Sequence, residues 1–176
     1  MIMTAAFLGS RRSQSSVAGV EHSGLPIHPR IGLSYRYRIF PSGLLVYPIP
    51  KNASKSMFAM SKPTNARDGA IAFIRDPLDR LRSYYDYILR TVSPHLEWVE
   101  FIDAILRGRI DAYSAPQAHL VSDGFSKTLY PFEAVNQMIP DLPRLNEAVG
   151  EPQPWHRLDE LQELYAEDLE LRKQLG

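Results

Sequence analysis

The chain has 176 residues, 44% hydrophobic and 23% charged, which suits one ordinary globular domain with a sizeable core. Twenty basic and twenty acidic side chains cancel, so no global field draws it to nucleic acid or to a membrane surface, and any anion site must be a local cluster. It has no cysteine, which excludes disulfides, thiolate metal sites and a thiol nucleophile, and no apolar run reaches the length of a membrane span. A soluble protein is expected, with the cytoplasm as the default compartment.

Residues 1–30 stand apart. They hold Arg11, Arg12 and several serines, and Glu21 is the only acid before Asp68. The segment lacks a basic leader and fits a secretion signal poorly. It reads as a flexible or partner-bound tail, through which a protein partner would attach, with a transit-like segment as the other reading. The folded domain is then expected over 31–176.

Residues 35–40 alternate apolar and aromatic positions with Arg36 and Arg38, as a half-buried edge strand does. Pro41-Ser42-Gly43 is a turn, and residues 44–49 return as a more apolar strand with Pro48 near its end. Residues 53–60 suit a helix that stops before a turn at Pro63-Thr64-Asn65. Ala70–Ile74 is uninterrupted and apolar, the pattern of a strand covered on both faces.

The next helix is well marked: Asp76 at the cap, Pro77 at the first helical position, then Leu78, Leu81, Tyr85, Ile88 and Leu89 at helical spacing. Ser93-Pro94 is expected to open another, with Trp98, Phe101, Ile102, Ile105 and Leu106 as its core stripe and Gly108 as its end. Residues 128–132 read as a short strand. One helix is expected over 158–175, with acids in its first turns and Arg172 and Lys173 in its last. Strands alternating with helices imply an α/β fold with a mainly parallel central sheet flanked by helices.

The chemistry gathers at two strand ends. Pro50-Lys51-Asn52-Ala53-Ser54-Lys55-Ser56 follows the first apolar strand and offers an ammonium, hydroxyls and a helix start. It is not a Walker A loop, because G-x-x-x-x-G-K-[ST] is absent. Arg75 ends the second apolar strand, where its planar fork suits a phosphate, and Ser83 lies two turns into the following helix. Two strands ending in a basic residue suit a ligand with phosphate-like groups at both ends.

These residues resemble the sulfotransferase superfamily, in particular its carbohydrate and membrane-associated branch. Residues 50–56 are similar to the loop P-K-x-A-S-T-S, and residues 73–85 to F-V-R-D-P-x-x-R-L-x-S-x-Y. Pro116-Gln117, Phe132-Glu133, Leu145-Asn146 and residues 164–171 resemble later elements of the family in the same order. The resemblance implies a single-domain, P-loop-like three-layer fold and 3′-phosphoadenosine 5′-phosphosulfate as co-substrate, without a metal. Lys51 would contact the 5′ end of the donor and act in catalysis. Asn52, Ala53, Ser54, Lys55 and Ser56 would wrap the phosphosulfate, and Arg75 and Ser83 would hold the 3′-phosphate. The acceptor would be a hydroxyl, such as that of a glycan.

The chain departs from the family pattern in three places. Lys55 stands at a hydroxyl position, Arg75 follows Lys51 by only 24 positions, and Tyr113 lies where the family has a histidine. The usual base has no counterpart, which leaves His119, His95, Glu97 and Glu133 as candidates, with His119 preferred. A sulfotransferase-fold protein without catalysis, serving as a nucleotide-binding or interaction component, is the alternative. Trp98 and Phe101 read as core residues and Trp155 as packing beneath a loop.

Overall fold

The computed structural model describes Met3–Thr4 and residues 37–109, 111–122, 124–143 and 153–176. Most of the tail predicted over 1–30 lies outside the described residues, as do Tyr35, Arg36 and Leu145-Asn146. The described chain is mixed α/β, with an open sheet in the order β1-β6-β5-β3-β2-β4. The strands are β1 (Met3–Thr4), β2 (Arg38–Ile39), β3 (Leu45–Val46), β4 (Lys62–Pro63), β5 (Ala70–Ile74) and β6 (Lys127–Pro131). The sheet is parallel at its centre, where β3 pairs β5 and β5 pairs β6, and antiparallel at its edges.

Every residue of β5 is buried, and its side chains alternate between two apolar clusters. Ile71 and Phe73 pack with Met57 of α1 (Ser54–Met60) and with Val135 of α5 (Val135–Met138). Ala72 and Ile74 pack on the other face with Leu171 and Leu175 of α7 (Ala166–Leu175). Helices therefore cover both faces of the central strand, as its unbroken apolar run predicts. A third cluster joins α2 (Pro77–Thr91), α3 (Trp98–Leu106) and α6 (Leu158–Leu164) through Leu81, Tyr84, Trp98, Phe101 and Leu161.

Asp76 caps α2 as predicted: its Oδ1 accepts from Leu78 N at 2.9 Å and Asp79 N at 3.0 Å. The predicted hairpin is present, but its strands are shorter than expected. Gly43 supplies the left-handed residue of its turn, at φ 86°.

Four expectations need correction. Lys62–Pro63 pairs with Arg38–Ile39 instead of forming only a turn; β4 is the outermost strand, a place where proline's missing N–H is tolerated. Ser93 closes α2 instead of opening α3, because its N–H donates to Ile88 O at 2.9 Å, and α3 starts at Trp98. The final helix is two helices, broken at Tyr165, whose hydroxyl donates to Ser114 O at 2.6 Å in the core. Within the predicted tail, Met3–Thr4 forms β1, which covers backbone groups on the outer edge of β6. A short helix, α4 (Gln117–Val121), and a 3₁₀ turn, Phe132–Ala134, add to the predicted elements.

Candidate functional site

Because β3 and β5 are parallel neighbours, the turns that follow them leave the sheet side by side. Arg75 Nη1 donates to Lys51 O at 3.2 Å, so the two basic turns meet. The turn after β3 is tight. Lys51 and Ala53 adopt left-handed backbone, with φ of 65° and 58°, a conformation that costs a residue bearing a Cβ about 1–2 kcal/mol.

Asn52 holds this turn. Its N–H donates to Ile49 O at 3.1 Å, and its side-chain amide donates to Phe73 O and Gln117 Oε1, both at 2.6 Å. The side chain of Asn52 is thus fully buried and serves the fold; its Oδ1 has no hydrogen-bond partner. Gln117 is the hub of the arrangement. Its Oε1 also accepts from Arg75 N at 3.1 Å, and its Nε2 donates to Arg75 O at 2.7 Å and to Asp168 Oδ2 at 3.3 Å. Asp168 of α7 accepts from Gln117 N and Ala118 N, each at 2.8 Å, and so caps α4 from a distant helix.

Lys51 is half-buried, and its ammonium lies 4.8 Å from the centroid of the Tyr87 ring. Burial first, then the charges of Arg90 and Arg75, bring its pKa down to about 8. Arg75 is also half-buried, with its guanidinium 5.1 Å over the Phe132 ring, and burial lowers its pKa despite the acids nearby. Tyr87 stacks on Tyr113 at 5.7 Å, and Tyr113 on Tyr84 at 5.2 Å. Tyr84 is held by Asp111, and burial beside that carboxylate pushes its phenol pKa up.

The other predicted residues are placed unevenly. Ser54 and Ser56 are buried, and Ser56 Oγ donates to Pro143 O at 2.5 Å. Ala53 is half-buried, and Lys55 is exposed on α1. Ser83 is half-buried on α2, one turn before Tyr87 and on the same face. His119 is exposed and pairs with Glu167 at 3.3 Å, and Glu133 pairs with Arg172 at 2.8 Å. His95 and Glu97 are exposed before α3. Trp98 and Phe101 are core residues, as expected, and Trp155 packs on Trp98, with the Arg82 guanidinium 4.4 Å from the centroid of the Trp155 ring.

Sequence reasoning passed over Tyr87, Arg90 and Asp86. Spacings of three, four and seven from Ser83 were the signal that could have found them. It matched Gln117 and Asp168 to family elements without giving either a role. Among the described residues no group of three or more His, Cys, Asp or Glu is placed to hold a metal, and no helix is long and apolar enough to cross a membrane. Searches against protein-family models, curated proteins and solved structures found no match to this chain.

Proposed function

We propose that the chain binds 3′-phosphoadenosine 5′-phosphosulfate across the two strand-end turns and transfers its sulfuryl group to a hydroxyl acceptor, with glycans as the acceptor class. The fold in this reading is a P-loop-like three-layer domain. The observation that carries it is the meeting of Lys51 and Arg75, 24 positions apart and joined at 3.2 Å through the Lys51 carbonyl. A ligand with anionic groups at both ends matches two such turns better than a single phosphate does.

In the proposed reaction the acceptor oxygen attacks sulfur in line, and the bond from sulfur to the bridging oxygen breaks. The leaving 3′-phosphoadenosine 5′-phosphate keeps that electron pair, and the Lys51 ammonium offsets the charge that develops there. Arg75 and Ser83 take the 3′-phosphate. The acceptor's proton passes to a base.

Placement of the histidines favours a second reading, a nucleotide-binding component without transfer. His119 pairs with Glu167, and His156 lies 3.3 Å from Asp103. Calorimetry with 3′-phosphoadenosine 5′-phosphate against adenosine 5′-monophosphate tests what the two readings share. A clear preference for the first nucleotide is expected, and equal affinity sinks both. Lys51→Ala and Arg75→Ala should each weaken binding by about 1.5–3 kcal/mol, the worth of a charge-assisted contact. Transfer of labelled sulfate to an acceptor panel then separates the enzyme from the binding component.

A further inference from the structure

The helix that carries Ser83 continues for two more turns, and Asp86, Tyr87 and Arg90 follow Ser83 on one face. Lys51 packs on that face through the Tyr87 ring. Arg90 is exposed and folds back along the helix, with its Nε donating to Asp86 O at 3.2 Å. This bond holds the guanidinium beside the Asp86 carbonyl, one residue before Tyr87, whose ring Lys51 touches. Arg75 enters from β5 through its contact with the Lys51 carbonyl.

Arg75 and Lys51 thus meet at the Lys51 carbonyl, Lys51 lies on the Tyr87 ring, and Arg90 stands three positions further along the same helix face. The cost of that arrangement falls on Lys51: after burial, Arg90 does most to destabilise its charged form, ahead of Arg75, and Asp86 is the carboxylate that opposes them. Like charges gathered at a half-buried ammonium are unfavourable in an empty site and favourable once an anion sits among them.

We propose that Arg90 is a third ligand-binding cation of this site, placed on the Lys51 side, where it takes the 5′ phosphate or phosphosulfate end of a nucleotide. The proposal rests on the reading of a nucleotide held between Lys51 and the Arg75–Ser83 pair. It adds a division of labour: Arg90 and Lys51 serve the 5′ end, Arg75 and Ser83 the 3′ end. A guanidinium beside an ammonium gives the 5′ group a planar fork as well as a point charge.

The full chain is titrated by calorimetry with 3′-phosphoadenosine 5′-phosphate and, separately, with adenosine 5′-monophosphate. Arg90→Ala should weaken both ligands by the same factor, about tenfold, and leave the ratio between them intact. Arg90→Lys should recover part of that loss. Arg75→Ala should instead collapse the ratio. Binding to the wild type near pH 8 should also take up protons, seen as heat that varies with the ionisation enthalpy of the buffer, because an anion raises the pKa of Lys51. Weakening by Arg90→Ala of less than about twofold, or loss confined to the 3′-phosphorylated ligand, overturns the assignment of Arg90. A wild type that holds both nucleotides equally, with Arg90→Ala weakening both, keeps Arg90 and overturns the 3′-phosphate reading. A wild type that binds neither overturns both.

Discussion

Gln117 and Lys51 serve the same turn in opposite ways. The Gln117 amide is closed on every side: its oxygen accepts from Asn52 and Arg75, and its nitrogen donates to Arg75 and Asp168. Lys51 instead feels Arg90 and Arg75, charges of its own sign, opposed by Asp86. One region uses its polarity to fix the distance between two strand ends; the other holds a half-buried charge against the Tyr87 ring. A buried amide with all its bonds made is a brace, and a half-buried ammonium beside other cations is the feature on which the proposed anion site rests.

The sharpest way to break this contrast is Gln117→Leu, nearly the same volume without the amide. Asn52, Arg75 N and Asp168 would each lose a partner in the interior, and stability should fall by about 3–5 kcal/mol in a urea titration. A loss under about 1 kcal/mol would mean that Gln117 is no brace. Next in size is the pH response of Lys51. Its folded pKa of about 8 lies below the ordinary value of 10.5, so the charged form that binds an anion is lost as pH rises through 8. Nucleotide affinity should then decline by up to about tenfold per pH unit above that point, and the decline should vanish in Lys51→Met.

The stability effect has the opposite sense. Folding disfavours the charged lysine, so this group adds stability as pH rises from about 8 towards 10.5 and withdraws it as pH falls back through 8. Thermal melts of wild type against Lys51→Met over that window isolate the effect from other titrating groups. An unchanged difference across the window would remove the argument for a strained charge.

Two smaller changes test the margins. Tyr165→Phe removes the bond to Ser114 O in the core and should cost about 1 kcal/mol of stability. His119→Ala breaks only an exposed pair with Glu167 and should alter stability by less than about 0.5 kcal/mol. A drop in sulfate transfer with unchanged melting would return His119 to the chemistry, against its placement here.

Much of the frame was legible in the chain. The Asp76 cap, the apolar run of β5 and the stripes of α2 and α3 are local patterns, and local geometry decides them. Two of the misreadings share one cause. Tyr165 breaks the last helix where its hydroxyl reaches Ser114, 51 positions away, and Lys62–Pro63 becomes a strand because Arg38–Ile39 lies alongside. Neither contact leaves a periodic trace. In the site, Lys51 and Arg75 stood out by charge at strand ends. Asn52 did not declare itself a brace, because its partners Phe73 and Gln117 are set by the sheet and by α4.

The hydrogen bonds to Asp168 also bear on time. Asn52 meets Gln117 across 65 positions, and Gln117 meets Asp168 across a further 51. The turn at Lys51 has bonds of shorter span to Ile49 and Phe73, but its brace through Gln117 is complete only after α7 has docked, by contacts whose loop-closure entropy is high. In stopped-flow refolding, capture of a fluorescent nucleotide should lag behind helix formation and appear with the final phase. Local opening of α7 would take Asp168 from Gln117 and loosen the left-handed turn at Lys51 and Ala53, and with it the hold on a bound nucleotide, before the sheet itself came apart.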